Sequence, residues 1–121
     1  MGGKVSKAKR PKRRWIGVTV PSTLGSRSEL LDYIASSNLS TFGVKVYDCY
    51  LAGSQEAQKS RDFCGLSDDV GVAILCVLLR NYNEVRSILQ SEDDMGLSSI
   101  SSSGKIRLVR ERMCLPKPSR R

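Results

Sequence analysis

Two residues near the amino terminus have the types and spacing that an acyl-transfer reaction uses. Gly2 follows Met1, and Ser6 stands four residues further on. Met-Gly-x-x-x-Ser is the acceptor pattern for N-myristoylation: removal of Met1 frees the Gly2 amine, which takes the acyl group as an amide. The residues around it are strongly basic. Lys4, Lys7, Lys9, Arg10, Lys12, Arg13 and Arg14 lie within residues 1–14, with no Asp or Glu among them. One myristoyl chain binds a bilayer only marginally, with a partition constant of about 10⁴ M⁻¹, so a stable anchor needs a second signal. A polybasic segment supplies one, because each Lys or Arg near an anionic leaflet adds up to roughly 1 kcal/mol.

Other chemistry is thinly represented. The chain has no histidine, so the commonest general base and metal ligand is missing. It carries no glycine-rich phosphate loop and no Gly-x-Ser-x-Gly elbow, the signatures of nucleotide binding and of serine hydrolases. Cys49, Cys64, Cys76 and Cys114 are widely spaced, with no Cys-x-x-Cys. They read as free, mostly buried thiols in a reducing compartment rather than as a zinc set. Neither an enzyme nor a cofactor is expected, beyond the covalent myristate.

Lys7–Arg14 has a second reading, as a nuclear-localisation or nucleic-acid-binding run. On that reading the protein is a small basic RNA- or DNA-binding accessory protein with a nuclear location. Its aromatic content is 6%, and only Trp15 adjoins the basic residues. Binding is therefore expected to be driven by phosphates, with a steep salt dependence, rather than by base stacking.

Met1–Lys7 resembles the start of the lentiviral Nef accessory protein, which has Trp where this chain has Val5. The likeness ends at Lys7, because the acidic cluster and proline-rich repeat of Nef are missing. It implies acylation of Gly2 and nothing more. In layout, an acylated basic arm on a small domain resembles viral matrix proteins. That likeness implies a peripheral structural protein that self-associates and links a membrane to a nucleocapsid, RNA or another partner. It would sit on the cytosolic face of the host membrane and inside the virion.

Charge placement agrees with a surface-binding role. Residues 1–14 carry +7, residues 15–104 carry −5 and residues 105–121 carry +6, which sum to the net +8. A bulk nucleic-acid binder more often spreads basic residues over its folded part. Two basic ends on an acidic body suit contact with an anionic surface.

At 121 residues the chain holds one domain, read as a basic arm over 1–14, a folded domain over 15–115 and a basic tail over 116–121. No apolar run approaches the roughly 18 residues of a spanning helix. Alternation of Ile16, Val18 and Val20 ahead of Pro21 predicts a first strand over 14–20. Trp15 sits where arm meets domain, as a packing residue or as an aromatic at headgroup level. Ser26-Arg27-Ser28-Glu29 is a capping box that opens a helix over 27–37. Residues 42–51 alternate as a second strand, apolar on both faces and so a candidate for the sheet centre. Residues 53–65 suit a polar helix ended by Gly65. The run 70–79 is the central strand, and Val85, Ile88 and Leu89 mark a helix over 81–90. Glu92-Asp93-Asp94 reads as a solvated acidic turn. Residues 97–100 and 105–115 read as a closing hairpin. In its last strand Lys105, Arg107, Arg110 and Arg112 form an outer basic ridge that faces a membrane or RNA, or protects a sheet edge. The fold class is α+β: a mainly antiparallel sheet with two or three short helices behind a flexible basic arm.

The acceptor pattern is tested by intact mass. Chain co-expressed with an N-myristoyltransferase should gain the mass of one myristoyl group, and the Gly2→Ala variant none. Absence of the adduct from the parent chain removes the lipid from the account.

Overall fold

The fold is built round its third strand. The structure, a computed structural model, describes residues 12–66, 69–91 and 97–116. Gly2, Lys4, Lys7, Lys9, Arg10, the acidic turn 92–94 and the tail 117–121 lie outside them. Strand β3 (Gly71–Leu78) carries the most apolar run, Gly-Val-Ala-Ile-Leu-Cys-Val-Leu, and is buried from Gly71 to Val77. A strand that is apolar on both faces must be covered on both, and the other elements supply the covers.

Four strands form one antiparallel sheet in the order β2-β3-β1-β4. They are β1 (Arg13–Val20), β2 (Lys45–Tyr50), β3 and β4 (Ser99–Ser103). β1 and β2 run one way and β3 and β4 the other, as their antiparallel pairings require. The helices are α1 (Arg27–Ala35), α2 (Gln55–Cys64), α3 (Tyr82–Ser91) and α4 (Ile106–Arg112). The β1–α1–β2 crossover steps over β3, and the β3–α3–β4 crossover steps over β1. Two interlocked split βαβ units of this kind make the ferredoxin-like arrangement, here with α2 and α4 added.

The first face of the sheet holds the larger core. Ile16, Val18, Val20, Ala73, Leu75 and Val77 meet Leu30 and Ile34 of α1 and Val85 and Leu89 of α3. Local chemistry starts α1 as the sequence predicts. The Ser26 hydroxyl accepts from the Glu29 N–H at 3.1 Å, and the Glu29 carboxylate accepts from the Gly25 N–H. The box thus closes one residue earlier than the usual reciprocal bond to the cap. Likewise α2 ends at Gly65 with φ +69°, in the left-handed region where glycine has no Cβ penalty.

The second face carries a smaller core made by α4. Val109, Met113 and Leu115 close over Val72 and Ile74. Residues 105–115 are therefore a helix and its exit, not the last strand of a hairpin. Ile106, Val109 and Met113 recur at helical spacing, so the helix buries them together, whereas a strand would divide them between two faces. Helix formation also dissolves the expected basic ridge, because Arg107, Arg110 and Arg112 engage separate partners: Glu111, Asp48 and the Ser102 carbonyl. Gly17 makes the contact close. A Cβ there would lie 2.1 Å from the Met113 sulfur and 3.2 Å from a Val109 methyl.

Other expectations need correction. β1 begins at Arg13, so the last two residues of the expected arm belong to the sheet. β2 starts at Lys45, after a 3₁₀ turn over Asn38–Phe42. It lies at the sheet edge rather than the centre, with a bulge between Val46 and Asp48. The bulge turns Cys49 onto the face of Val46, against the simple alternation. Four α-helices replace the two or three expected. Of the cysteines only Cys76 is buried; Cys49 and Cys64 are half-buried and Cys114 is exposed. Among the described residues no helix is long and apolar enough to cross a membrane.

Gly17→Ala should destabilise the fold by about 1–3 kcal/mol, the usual cost of overpacking a closed site, read as a lower urea midpoint. Combined with Met113→Ala, which removes the obstructing sulfur, it should cost less than the sum of the two single changes. An unchanged midpoint for Gly17→Ala would mean that α4 does not press on β1 there.

Candidate functional site

Strand register gathers basic residues at one end of the sheet. Arg13 pairs with Leu78, Trp15 with both Cys76 and Ser103, and Lys45 with Cys76. The start of β1, the start of β2, the end of β3 and the end of β4 therefore share one edge of the molecule. Lys12 precedes β1, and its carbonyl accepts from the Leu79 N–H at 2.8 Å. Arg80 follows β3 and Lys105 follows β4. Lys12, Arg13, Lys45, Arg80 and Lys105 are all exposed. Leu79 and Tyr47 lie among them with 44% and 40% of their surface exposed.

These cations have no anionic partner, as is also true of exposed Lys59 and Arg86 elsewhere on the domain. The carboxylate pairs among the described residues are Arg107–Glu111 at 3.4 Å and Arg110–Asp48 at 2.7 Å. Arg27 donates to the carbonyls of Val46 and Tyr47. Arg61 donates to those of Ala52 and Val70, and Arg112 to that of Ser102. The guanidinium of Arg14 lies 5.2 Å from the centre of the Tyr82 ring. Glu84 opens α3 at the basic end yet pairs with none of the free cations. At the opposite end α2, which links β2 to β3, balances Glu56 and Asp62 with Lys59 and Arg61. Exposed Lys12, Arg13, Lys45, Arg80 and Lys105 thus give this end of the sheet an excess of positive charge.

The sequence-predicted site residues divide accordingly. Arg13 and Lys12 join the free cations, and Lys105 stands with them as the residue before α4. Arg14 is turned onto Tyr82. Arg107 is tied within its own helix, in an exposed pair of a kind that contributes at most about 1 kcal/mol. Arg110 is not a surface residue: it makes a bidentate pair with Asp48, its Nε at 2.7 Å and Nη2 at 3.1 Å from the two carboxylate oxygens. That hydrogen bond raises the Arg110 pKa above its ordinary value, against the opposing effect of burial. Trp15 is half-buried and sets its ring edge-on to Tyr47 with centroids 4.6 Å apart.

Lys45, Tyr47 and Arg80 were not singled out from sequence. Nothing near them in the chain marks them, since Tyr47 stands 32 positions after Trp15. They become a group only when β3 inserts between β1 and β2. Lys45 and Tyr47, with Arg13, border a hollow of about 220 Å³, whose other walls include Phe42, Cys76 and Leu78; Arg80 lies outside it. Burial raises the Cys76 thiol pKa, while the charges of Arg13 and Lys45 lower it, so both cations act on the hollow. Among the described residues no group of His, Cys, Asp or Glu could hold a metal ion. No protein-family model, no curated protein and no solved structure matches this chain.

The Asp48–Arg110 bridge ties α4 to edge strand β2. Arg110→Ala should lower stability by about 2 kcal/mol, the scale of a hydrogen bond to a charged group, and should leave Asp48 without a partner. Double-mutant analysis with Asp48→Ala should return most of that figure as coupling. Additive losses would show that the bridge contributes nothing as a pair.

Proposed function

We propose that the protein is a peripheral, matrix-type structural protein that docks on an anionic cytosolic leaflet. Myristoyl-Gly2 and the polybasic arm supply the two anchoring signals. The basic end of the sheet meets the same surface, because residues 1–11 join the domain there. One observation carries the reading. Lys12, Arg13, Lys45, Arg80 and Lys105 are exposed, lack carboxylate partners and surround the point where the arm enters β1. Cations left unpaired on an otherwise acidic body suit a negative surface. Each one within a Debye length of about 8 Å of the headgroups contributes. Exposed Leu79 beside them offers apolar surface that contact with the bilayer would remove from water. With the basic end on the membrane, the far side is left for further copies or for a nucleocapsid-like partner.

Flotation on phosphatidylserine vesicles at about 0.15 M salt tests the proposal. Acylated wild-type chain should float. Gly2→Ala should stay largely in solution, because the arm alone lacks the hydrophobic contribution of the acyl chain. Lys45→Glu with Arg80→Glu should weaken flotation of acylated protein several-fold. Equal flotation of the wild type and the Gly2→Ala variant would sink the lipid anchor.

A further inference from the structure

The cations at the basic end are interleaved with aromatic rings on one corner of a sheet face, which a lipid surface does not require. Beyond the docking role, and independently of it, we infer that this corner is a binding site for single-stranded nucleic acid. In this site Tyr47 stacks on a base, and Arg13 and Lys45 hold the flanking phosphates.

The sheet assembles the parts. Trp15, Cys76 and Lys45 form one row across β1, β3 and β2. Arg13 lies two residues from Trp15 and therefore on the same face. With strands about 4.8 Å apart and about 3.4 Å per residue along them, the Arg13 and Lys45 backbones are roughly 12 Å apart. Both side chains are long enough to reach across the hollow between them. Trp15 sets its edge against Tyr47, 4.6 Å between centroids at 88°. That contact fixes the tyrosine and leaves 40% of it exposed. A held, exposed ring flanked by unpaired cations is the combination on which single strands bind. Bases stack irrespective of sequence, and the phosphates are neutralised beside them.

Two observations favour a polymer over a free small molecule. The hollow is about 220 Å³, below the roughly 300–1,000 Å³ of small-molecule sites, so it admits one ring of a longer ligand. A strand leaving the hollow meets a further exposed cation, since Lys12 directly precedes Arg13. α4 covers the rest of this sheet face through Val109 and Met113, which confines stacking to the corner and predicts a short site. Absence of His, Asp or Glu from the walls fits simple binding without cleavage.

The test uses the full, unacylated chain and a fluorescently labelled ten-nucleotide oligouridylate, with affinity read by anisotropy across a salt series. Trp15 is the single tryptophan, so its emission should change saturably as the oligonucleotide binds. Tyr47→Ala should weaken binding about tenfold or more, the scale of one lost base stack, with the salt slope unchanged. Tyr47→Phe, which keeps the ring, should bind as wild type. Lys45→Gln, at an exposed position that does not endanger folding, should reduce the slope of log affinity against log salt by about 0.7, the value for one phosphate on a single strand. Wild-type affinity in both Tyr47→Ala and Lys45→Gln would place nucleic-acid binding on the arm alone and overturn the site. Equal losses of oligonucleotide binding and of phosphatidylserine flotation in Tyr47→Ala would also overturn it, since the corner would then serve headgroups. Retained flotation with lost oligonucleotide binding supports it.

Discussion

The pairing of β1 with β3 fixes everything that follows. Residues Arg13–Val20 meet Leu78–Gly71 without interruption. Side chains alternate along a strand, so this register puts Arg14, Ile16, Val18 and Val20 on the face covered by α1 and α3. It puts Arg13, Trp15 and Gly17 on the other. A slip of one residue would exchange the two sets. It would press Trp15 toward the main core and expose side chains worth roughly 1.5–3 kcal/mol each when buried. The same alternation that secures the core thus decides which way the basic residues face.

Gly17 and α4 extend that constraint to the second face. Only a residue without a side chain lets Met113 lie this close to β1. The helix that results consumes much of the positive charge of the C-terminal region: Arg110 on Asp48, Arg107 on Glu111 and Arg112 on a β4 carbonyl. Covering the sheet and neutralising the helix are one event. The cations around the entry of the arm are left without carboxylate partners.

Much of this was legible in the residues. The apolar run of β3, the Ser26–Glu29 box, the Gly65 stop and the alternation of β1 each have a local cause, and each element formed where that cause lies. α4 was not legible because Lys105-Ile106-Arg107-Leu108 alternates like a strand for four residues. Its helical spacing shows only through Val109 and Met113, and the deciding contact is with Gly17, far away in sequence. β2 misled for a related reason: Phe42 and Val44 continue its alternation but belong to a turn and its exit, and the bulge at Tyr47 reverses the pattern. The candidate site was half legible. Arg13, Trp15 and Lys105 stand in obviously basic surroundings, whereas Lys45, Tyr47 and Arg80 acquire meaning only from strand order. Trp15 is the one aromatic beside the basic residues in the sequence, and Tyr47 joins it only in the fold.

The central claim is that the domain meets a membrane with one particular end. Quenching by brominated phospholipids reads this directly. Acylated protein on phosphatidylserine bilayers should show strong quenching of Trp15, which lies at the basic end. A Trp15→Phe, Phe63→Trp variant moves the only indole to exposed Phe63 at the end of α2 and should be left bright. Quenching of the relocated indole with sparing of Trp15, or equal quenching of both, contradicts the account.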